Sequence, residues 1–175
     1  MKDADAVIAL SDQCFGKGYF NLDFIEACIR AKQWHVFLAE DNSGICGYVL
    51  LLTGDYPEIL EEIGKEHRGV LGFLEGEKQI CLRKSTCVAC SHRRKGLGTS
   101  LASHAIQVFP NHLHISISWK RSTAVPMLDI SKKLGFRDSV VLKNYWYSDS
   151  TVKGYTCPEC GQPPCKCSAH LLVRS

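Results

Sequence analysis

No stretch of this 175-residue chain approaches the roughly 18 to 20 consecutive apolar residues that a membrane span needs. Its opening Met-Lys-Asp-Ala-Asp lacks the apolar stretch of a signal peptide. Charge of one sign is scarce as well: 21 basic residues against 18 acidic ones leave +3, too little to hold nucleic acid by its field. Internal repeats and low-complexity segments are absent. We therefore expect a soluble cytoplasmic protein with no nucleic-acid or membrane partner. At 45% hydrophobic content the chain can bury one substantial core, so residues 1–175 are read as a single domain with a small appendage.

The usual phosphate-binding signatures are incomplete. The run Val88-Ala-Cys-Ser-His-Arg93-Arg-Lys-Gly96-Leu-Gly98-Thr99 lacks the third glycine of a dinucleotide loop, and it lacks the terminal Gly-Lys-Ser/Thr of a Walker loop. What it has is Arg93-x-x-Gly96-x-Gly98 between a β-branched run and an amphipathic helix. Glycine allows close backbone approach. The first N–H groups of the helix have no internal acceptor and sit at the positive end of its dipole, so an anion should dock there.

Arg93-x-x-Gly96-x-Gly98 resembles the acyl-CoA pyrophosphate loop of the GNAT superfamily of N-acyltransferases, whose pattern is Arg/Gln-x-x-Gly-x-Gly/Ala. Val88 and Cys90 fall where that family has the Val-x-Pro end of a strand, Leu134-Gly135-Phe136 matches its Leu-Gly-Phe, and Lys143-Asn144-Tyr145-Trp146 is similar to the Lys-Asn-Tyr-Tyr of N-terminal protein acetyltransferases. The resemblance implies an α/β (α+β) fold with a central mixed, mostly antiparallel sheet flanked by helices. It leaves open an absent first strand, because the family usually places one before the helix at which this chain begins. It further implies acetyl-CoA (acyl-CoA) held by Val88, Arg93, Arg94, Lys95, Gly96, Leu97, Gly98 and Thr99, with the acyl group passing to a primary amine of a small molecule or protein.

The element order agrees. Helices are expected over 4–15 and 22–32, joined by Gly16-Lys-Gly18-Tyr-Phe20 and with Asn21 as an N-cap. Strands 35–40 and 45–52 flank a turn at 41–44, and an acidic, glycine-interrupted insertion fills 55–77. Strand 78–90 feeds the phosphate loop, helix 96–108 follows it, and then come strand 112–119, helix 123–134, strand 139–147 and strand 169–174.

Catalytic groups are harder to find. The family's usual general acid is a tyrosine where this chain has Ser131, and a serine hydroxyl is a poor proton donor. Tyr145 and Tyr147 share one face of the expected strand 139–147 and are the substitutes, with a water as the other route. No carboxylate lies on 78–90 or 112–119, where the family often carries its base, and His35, His92 and His114 titrate in the right range. Loss of the acid leaves an alternative: a weak or inactive, CoA-binding, zinc-stabilised interaction module. The amine and the oligomeric state stay open, a homodimer among the options.

Ten cysteines form two groups. Cys14, Cys28, Cys46, Cys81, Cys87 and Cys90 are scattered among apolar residues and read as packing in a reducing compartment. Cys157, Cys160, Cys165 and Cys167 crowd into a Cys-Pro-Glu-Cys-Gly knuckle and a following Cys-x-Cys, inside an insertion at 148–168 between the last two strands. Four sulfurs suffice for a closed, structural Zn²⁺ site, with disulfides or free thiols as the alternatives and His170 as a substitute ligand.

Overall fold

The computed structural model describes residues 2–121, 125 and 127–175. Helices α1 (Lys2–Phe15) and α2 (Leu22–Arg30) come first, with no strand before them among the described residues. The Asn21 side chain caps α2 by accepting the Phe24 N–H at 2.8 Å, as its position suggested. Strands β1 (Trp34–Asp41) and β2 (Gly44–Gly54) form a hairpin whose Asp41 and Gly44 face each other across the turn.

The acidic insertion is more ordered than its glycines suggest. Asp55 and Glu58 form a reciprocal capping box at the start of α3 (Tyr56–Ile63), a 3₁₀ turn follows, and α4 (Arg68–Leu71) closes the segment. Tyr56, Ile59, Leu60, Ile63, Leu71 and Leu74 bury one face of it against the sheet.

Next come β3 (Ile80–Val88), α5 (Leu97–Val108), β4 (Leu113–Lys120), α6 (Leu128–Lys133), β5 (Arg137–Leu142), α7 (Tyr147–Lys153) and β6 (Ser168–Arg174). The six strands form one sheet in the order β1-β2-β3-β4-β6-β5, antiparallel except for the parallel pair β3 and β4. Helices α1 and α2 pack one side through Val7, Leu10 and Ile25, joined by Phe20 of the loop between them, and α5 packs another cluster through Leu101 and Ala105. The first three residues of the helix expected at 123–134, together with Pro126, do not all lie within the described residues; its described part is α6.

Two expectations need correction. The strand expected at 139–147 is β5, and it ends at Leu142. Asn144 adopts a left-handed conformation with φ 52°, which turns the chain out of the sheet, and Tyr147 opens α7 instead. Tyr145 and Tyr147 are thus not neighbours on one strand face. The second correction concerns the scattered cysteines: Cys14 and Cys87 are joined as a disulfide, because the last turn of α1 crosses the end of β3 and brings their Cα atoms to 6.3 Å. Cys28, Cys46 and Cys81 are buried thiols as expected, and burial pushes Cys28 and Cys81 up to about 12.

Candidate active site

The site begins where two parallel strands part. Pairing of β3 with β4 runs from Ile80 opposite Leu113 to Arg83 opposite Ser116 and stops there. Both strands continue, β3 to Val88 and β4 to Lys120. On its other edge β3 stays paired with β2, but with a bulge: Leu51 faces Arg83 and Leu50 faces Ser85, which leaves Lys84 as the extra residue. The edge of β3 from Lys84 to Val88 is released from β4, and a cleft of about 490 Å³ opens between Ser85, Thr86 and Val88 on one side and Ile117, Ser118 and Trp119 on the other.

Arg83 pins the vertex from the opposite face. Its buried guanidinium donates to Ser116 Oγ at 2.7 Å and to Ser131 Oγ at 2.6 Å, and it lies 5.1 Å from the centre of the Phe136 ring. Burial lowers its pKa to about 10, so it stays cationic. Lys84 points the other way, into the cleft, where its Nζ is 2.7 Å from Glu62 Oε1 of α3. Burial opposes that charge, yet the surrounding phenols and Glu62 hold its pKa well above the ordinary lysine value.

The phosphate-loop residues close one end of the cleft. Arg93 Nε donates to the Val88 carbonyl at 3.0 Å, Arg94 turns through φ 62°, and Gly96 takes φ 84° as the N-cap of α5. Left-handed backbone is what glycine supplies at Gly96, where a Cβ would touch nothing. No side chain caps α5, so the N–H groups of Leu97, Gly98 and Thr99 keep no helical or capping acceptor. Val88, Arg93, Arg94, Gly96, Leu97, Gly98 and Thr99 all line the cleft; Lys95 is exposed beside them and does not.

The other end is aromatic. Tyr19, from the loop between α1 and α2, lies 5.2 Å from the Tyr155 ring, and its hydroxyl accepts from Trp146 Nε1 at 3.4 Å. Burial raises the Tyr19 pKa, so the phenol is protonated at neutral pH. Neither Tyr19, Lys84 nor Glu62 was singled out as a reacting group by sequence; only the fold brings these three segments together.

Ser131, at the family's acid position, and its two expected substitutes Tyr145 and Tyr147 lie elsewhere. Ser131 is fully buried beneath Arg83. Tyr147 is about half exposed at the start of α7. Tyr145 stacks on His67 with ring centres 5.4 Å apart, and burial raises its pKa above the ordinary phenol range. None of the three lines the cleft. Of the candidate histidines, His114 is buried with Nε2 against the Phe109 carbonyl and burial lowers its pKa to about 4, while His35 pairs with Thr53. His92 does line the cleft, held by Asp41 at 2.7 Å.

The four clustered cysteines meet. Cys157 and Gly161 exchange backbone hydrogen bonds, and Gly161 takes φ 79°, which closes the expected knuckle. The Cys160 N–H points at Cys157 Sγ (3.5 Å) and the Lys166 N–H at Cys160 Sγ (3.4 Å). Sulfur separations are 3.8 Å for Cys157 and Cys167, 3.4 Å for Cys160 and Cys167, and 4.0 Å for Cys160 and Cys165, with all four within 4.8 Å of one another. A tetrahedron with metal–sulfur bonds of about 2.3 Å requires about 3.8 Å between sulfurs, so the donor set fits Zn²⁺. His170 is turned away to Asp138, at 3.1 Å. Cys157 and Cys165 also form part of the cleft wall beside Trp146 and Tyr155.

A mixed sheet whose two parallel strands separate over the uncapped start of a helix is the architecture of acyl-CoA N-acyltransferases. The profile of the Acetyltransferase (GNAT) family matches residues 4–136, and the chain belongs to that family. No curated protein matches it. Among solved structures it is similar to Arabidopsis thaliana NAA60 in complex with a bisubstrate analogue (14% identity, 99% of this chain and 92% of that one, TM-score 0.70). It is also similar to Chaetomium thermophilum Naa20 in complex with a bisubstrate analogue (14%, 99% and 83%, 0.66) and to the ribosomal-protein-S18-alanine N-acetyltransferase from Escherichia coli (13%, 99% and 87%, 0.62). At these identities the likeness is one of fold.

Proposed function

We propose that this protein is an N-acetyltransferase that moves an acetyl group from acetyl-CoA to a primary amine by direct attack in a ternary complex. The observation that carries the reading is the parting of β3 and β4 over the start of α5. Pyrophosphate oxygens would accept from the N–H groups of residues 94–99, at the positive end of α5 and beside Arg93 and Arg94. The pantetheine arm would then run along the released edge of β3, replacing the lost strand partner, and deliver the thioester to the bulge at Lys84.

The amine would enter from the aromatic end. The amine must attack as its free base; Lys84, neutralised by Glu62 at 2.7 Å, adds no net charge against it there. Among the described residues no carboxylate lines the cleft, and we assign the surplus proton to a water path. Attack forms the C–N bond, and collapse of the tetrahedral intermediate breaks the C–S bond and expels the CoA thiolate. Tyr19 is the phenol we assign to protonate that thiolate: it is neutral, it lines the cleft, and its oxygen is oriented by Trp146. The four-cysteine knuckle would hold one structural Zn²⁺, which orders a segment poor in apolar residues.

Release of free thiol from acetyl-CoA in the presence of a panel of amines, comprising peptides with free N-termini, lysine-containing peptides and small primary amines, tests the reading. Thiol release that depends on one class of amine is the expected result. Acetyl-CoA that binds and is never consumed with any of them would move the protein to the CoA-binding module instead.

A further inference from the structure

We propose that metal occupancy of the cysteine knuckle positions the amine end of the cleft and leaves the acyl-CoA end unaffected. This rests on the acetyltransferase reading and on zinc binding by Cys157, Cys160, Cys165 and Cys167. Two of these residues, Cys157 and Cys165, line the cleft, so the metal–thiolate unit would lie beside the surface an amine meets.

The coupling passes through the loop between α1 and α2. Gly16 adopts φ 107°, and a Cβ there would stand 1.8 Å from the Thr156 carbonyl oxygen, one residue before the first cysteine. The Thr156 N–H in turn donates to the Lys17 carbonyl at 3.4 Å. Tyr19 follows two residues later, edge-on to Tyr155. The knuckle is thus joined to the loop that presents Tyr19 through backbone contacts at Gly16 and Lys17. On the far side, the Tyr145 N–H donates to the Cys167 carbonyl at 3.0 Å, which fixes the approach to Trp146. The other end of the cleft is held without the metal: the Cys14–Cys87 disulfide anchors the end of α1 to β3, Arg93 donates to Cys14 Sγ at 3.4 Å, and α5 rests on β2 and β3. Without metal, three buried thiols and the exposed Cys160 are held together only by weak hydrogen bonds to sulfur, and the loop loses its abutment.

Hydrogen exchange on the zinc-loaded and chelator-treated protein tests this, with elemental analysis of both samples. The expected result is one zinc per chain before treatment and none after. Amides of residues 16–20 and 145–147 should then exchange at least tenfold faster, with those of 82–86 in β3 unchanged. A second arm uses Gly16→Ala, which keeps all four cysteines. It should retain one zinc and bind CoA within twofold of the parent, and raise KM at least tenfold for whichever amine of the panel turns over fastest. Absence of zinc in the untreated protein would remove the metal reading itself. Zinc that is present, with exchange at 16–20 unmoved by its removal or KM unmoved by Gly16→Ala, would overturn the coupling alone. If chelation unfolds the whole chain, so that β3 exchanges too, the Gly16→Ala arm decides.

Discussion

Replacing Gly98 with aspartate places a charge where the phosphate reading is most exposed to refutation. A Cβ at Gly98 would stand 3.5 Å from Ile130 Cδ1 and 3.8 Å from Val88 Cγ2, which is ordinary contact, so the position tolerates a side chain in the free protein. The carboxylate would extend from there into the cleft, within about 4 Å of a bound pyrophosphate oxygen. Two unit charges at that distance repel by about 4 kcal/mol at an effective dielectric constant of about 20. Water at this half-exposed position removes up to half of that, and the aspartate also occupies the helix-dipole charge that the phosphate would have used, a further 0.3–1 kcal/mol or so. A net loss of about 2–3 kcal/mol corresponds to a dissociation constant raised by roughly 30- to 150-fold. Calorimetric titration with CoA measures it, with Gly98→Ala as the control. That variant should stay folded, with about the parental or slightly higher stability from better helix propensity. Equal CoA affinity in parent and Gly98→Asp would refute the placement of the pyrophosphate on this helix start.

Other expectations follow from the same geometry. Tyr19→Phe should lower turnover at saturating acetyl-CoA by on the order of a hundredfold, while Tyr147→Phe stays near the parental rate; the reverse order in steady-state kinetics would return the acid to the C-terminal segment. Ser131→Ala should act on stability, since it leaves a buried Arg83 N–H without its acceptor at a cost of about 1–3 kcal/mol, readable as a lower denaturant midpoint. Purified without added metal, the protein should carry about one zinc bound through sulfur at about 2.3 Å, and two disulfides among the four cysteines would contradict it. His114 has its pKa depressed from 6.5 to about 4 by burial. The unfolded chain therefore takes up the proton first as pH falls, and stability should drop between pH 6.5 and 4 with a slope approaching 1.4 kcal/mol per pH unit. Denaturant titrations of His114→Asn across that range should lack this component of the slope.

Local chemistry is what the sequence made legible. Arg93-x-x-Gly96-x-Gly98 fixes a left-handed turn and an uncapped helix within six residues, and the structure has both. The cysteine knuckle is likewise written into eleven neighbouring positions. The amine end is different, because Tyr19, Lys84 and Trp146 come from three segments that only the sheet topology brings together. Glu62 shows the limit most clearly: nothing in the acidic insertion sets it apart from its neighbouring carboxylates, yet α3 packs on the sheet and turns that one carboxylate onto Lys84. Ser131 was read by register as a failed acid, whereas its hydroxyl serves a buried cation. A partial signal existed for that, since Arg83 follows the apolar Ile80-Cys-Leu82 within the expected strand 78–90 and a buried guanidinium needs polar partners. Tyr145 and Tyr147 were misplaced because aromatic alternation resembles a strand while left-handed Asn144 ends it. The Cys14 and Cys87 pair, 73 residues apart, is a matter of which helix crosses which strand.

A crystal structure of the protein with acetyl-CoA addresses the central claim directly, the use of the cleft between β3 and β4 as the acetyl donor site. The account predicts pyrophosphate oxygens at about 2.7–3.2 Å from N–H groups among residues 94–99. It also predicts the pantetheine along Ser85 to Val88, and the thioester at the Lys84 bulge facing Tyr19. Acetyl-CoA bound anywhere else, or lying in the cleft with its thioester turned away from the aromatic end, would contradict it.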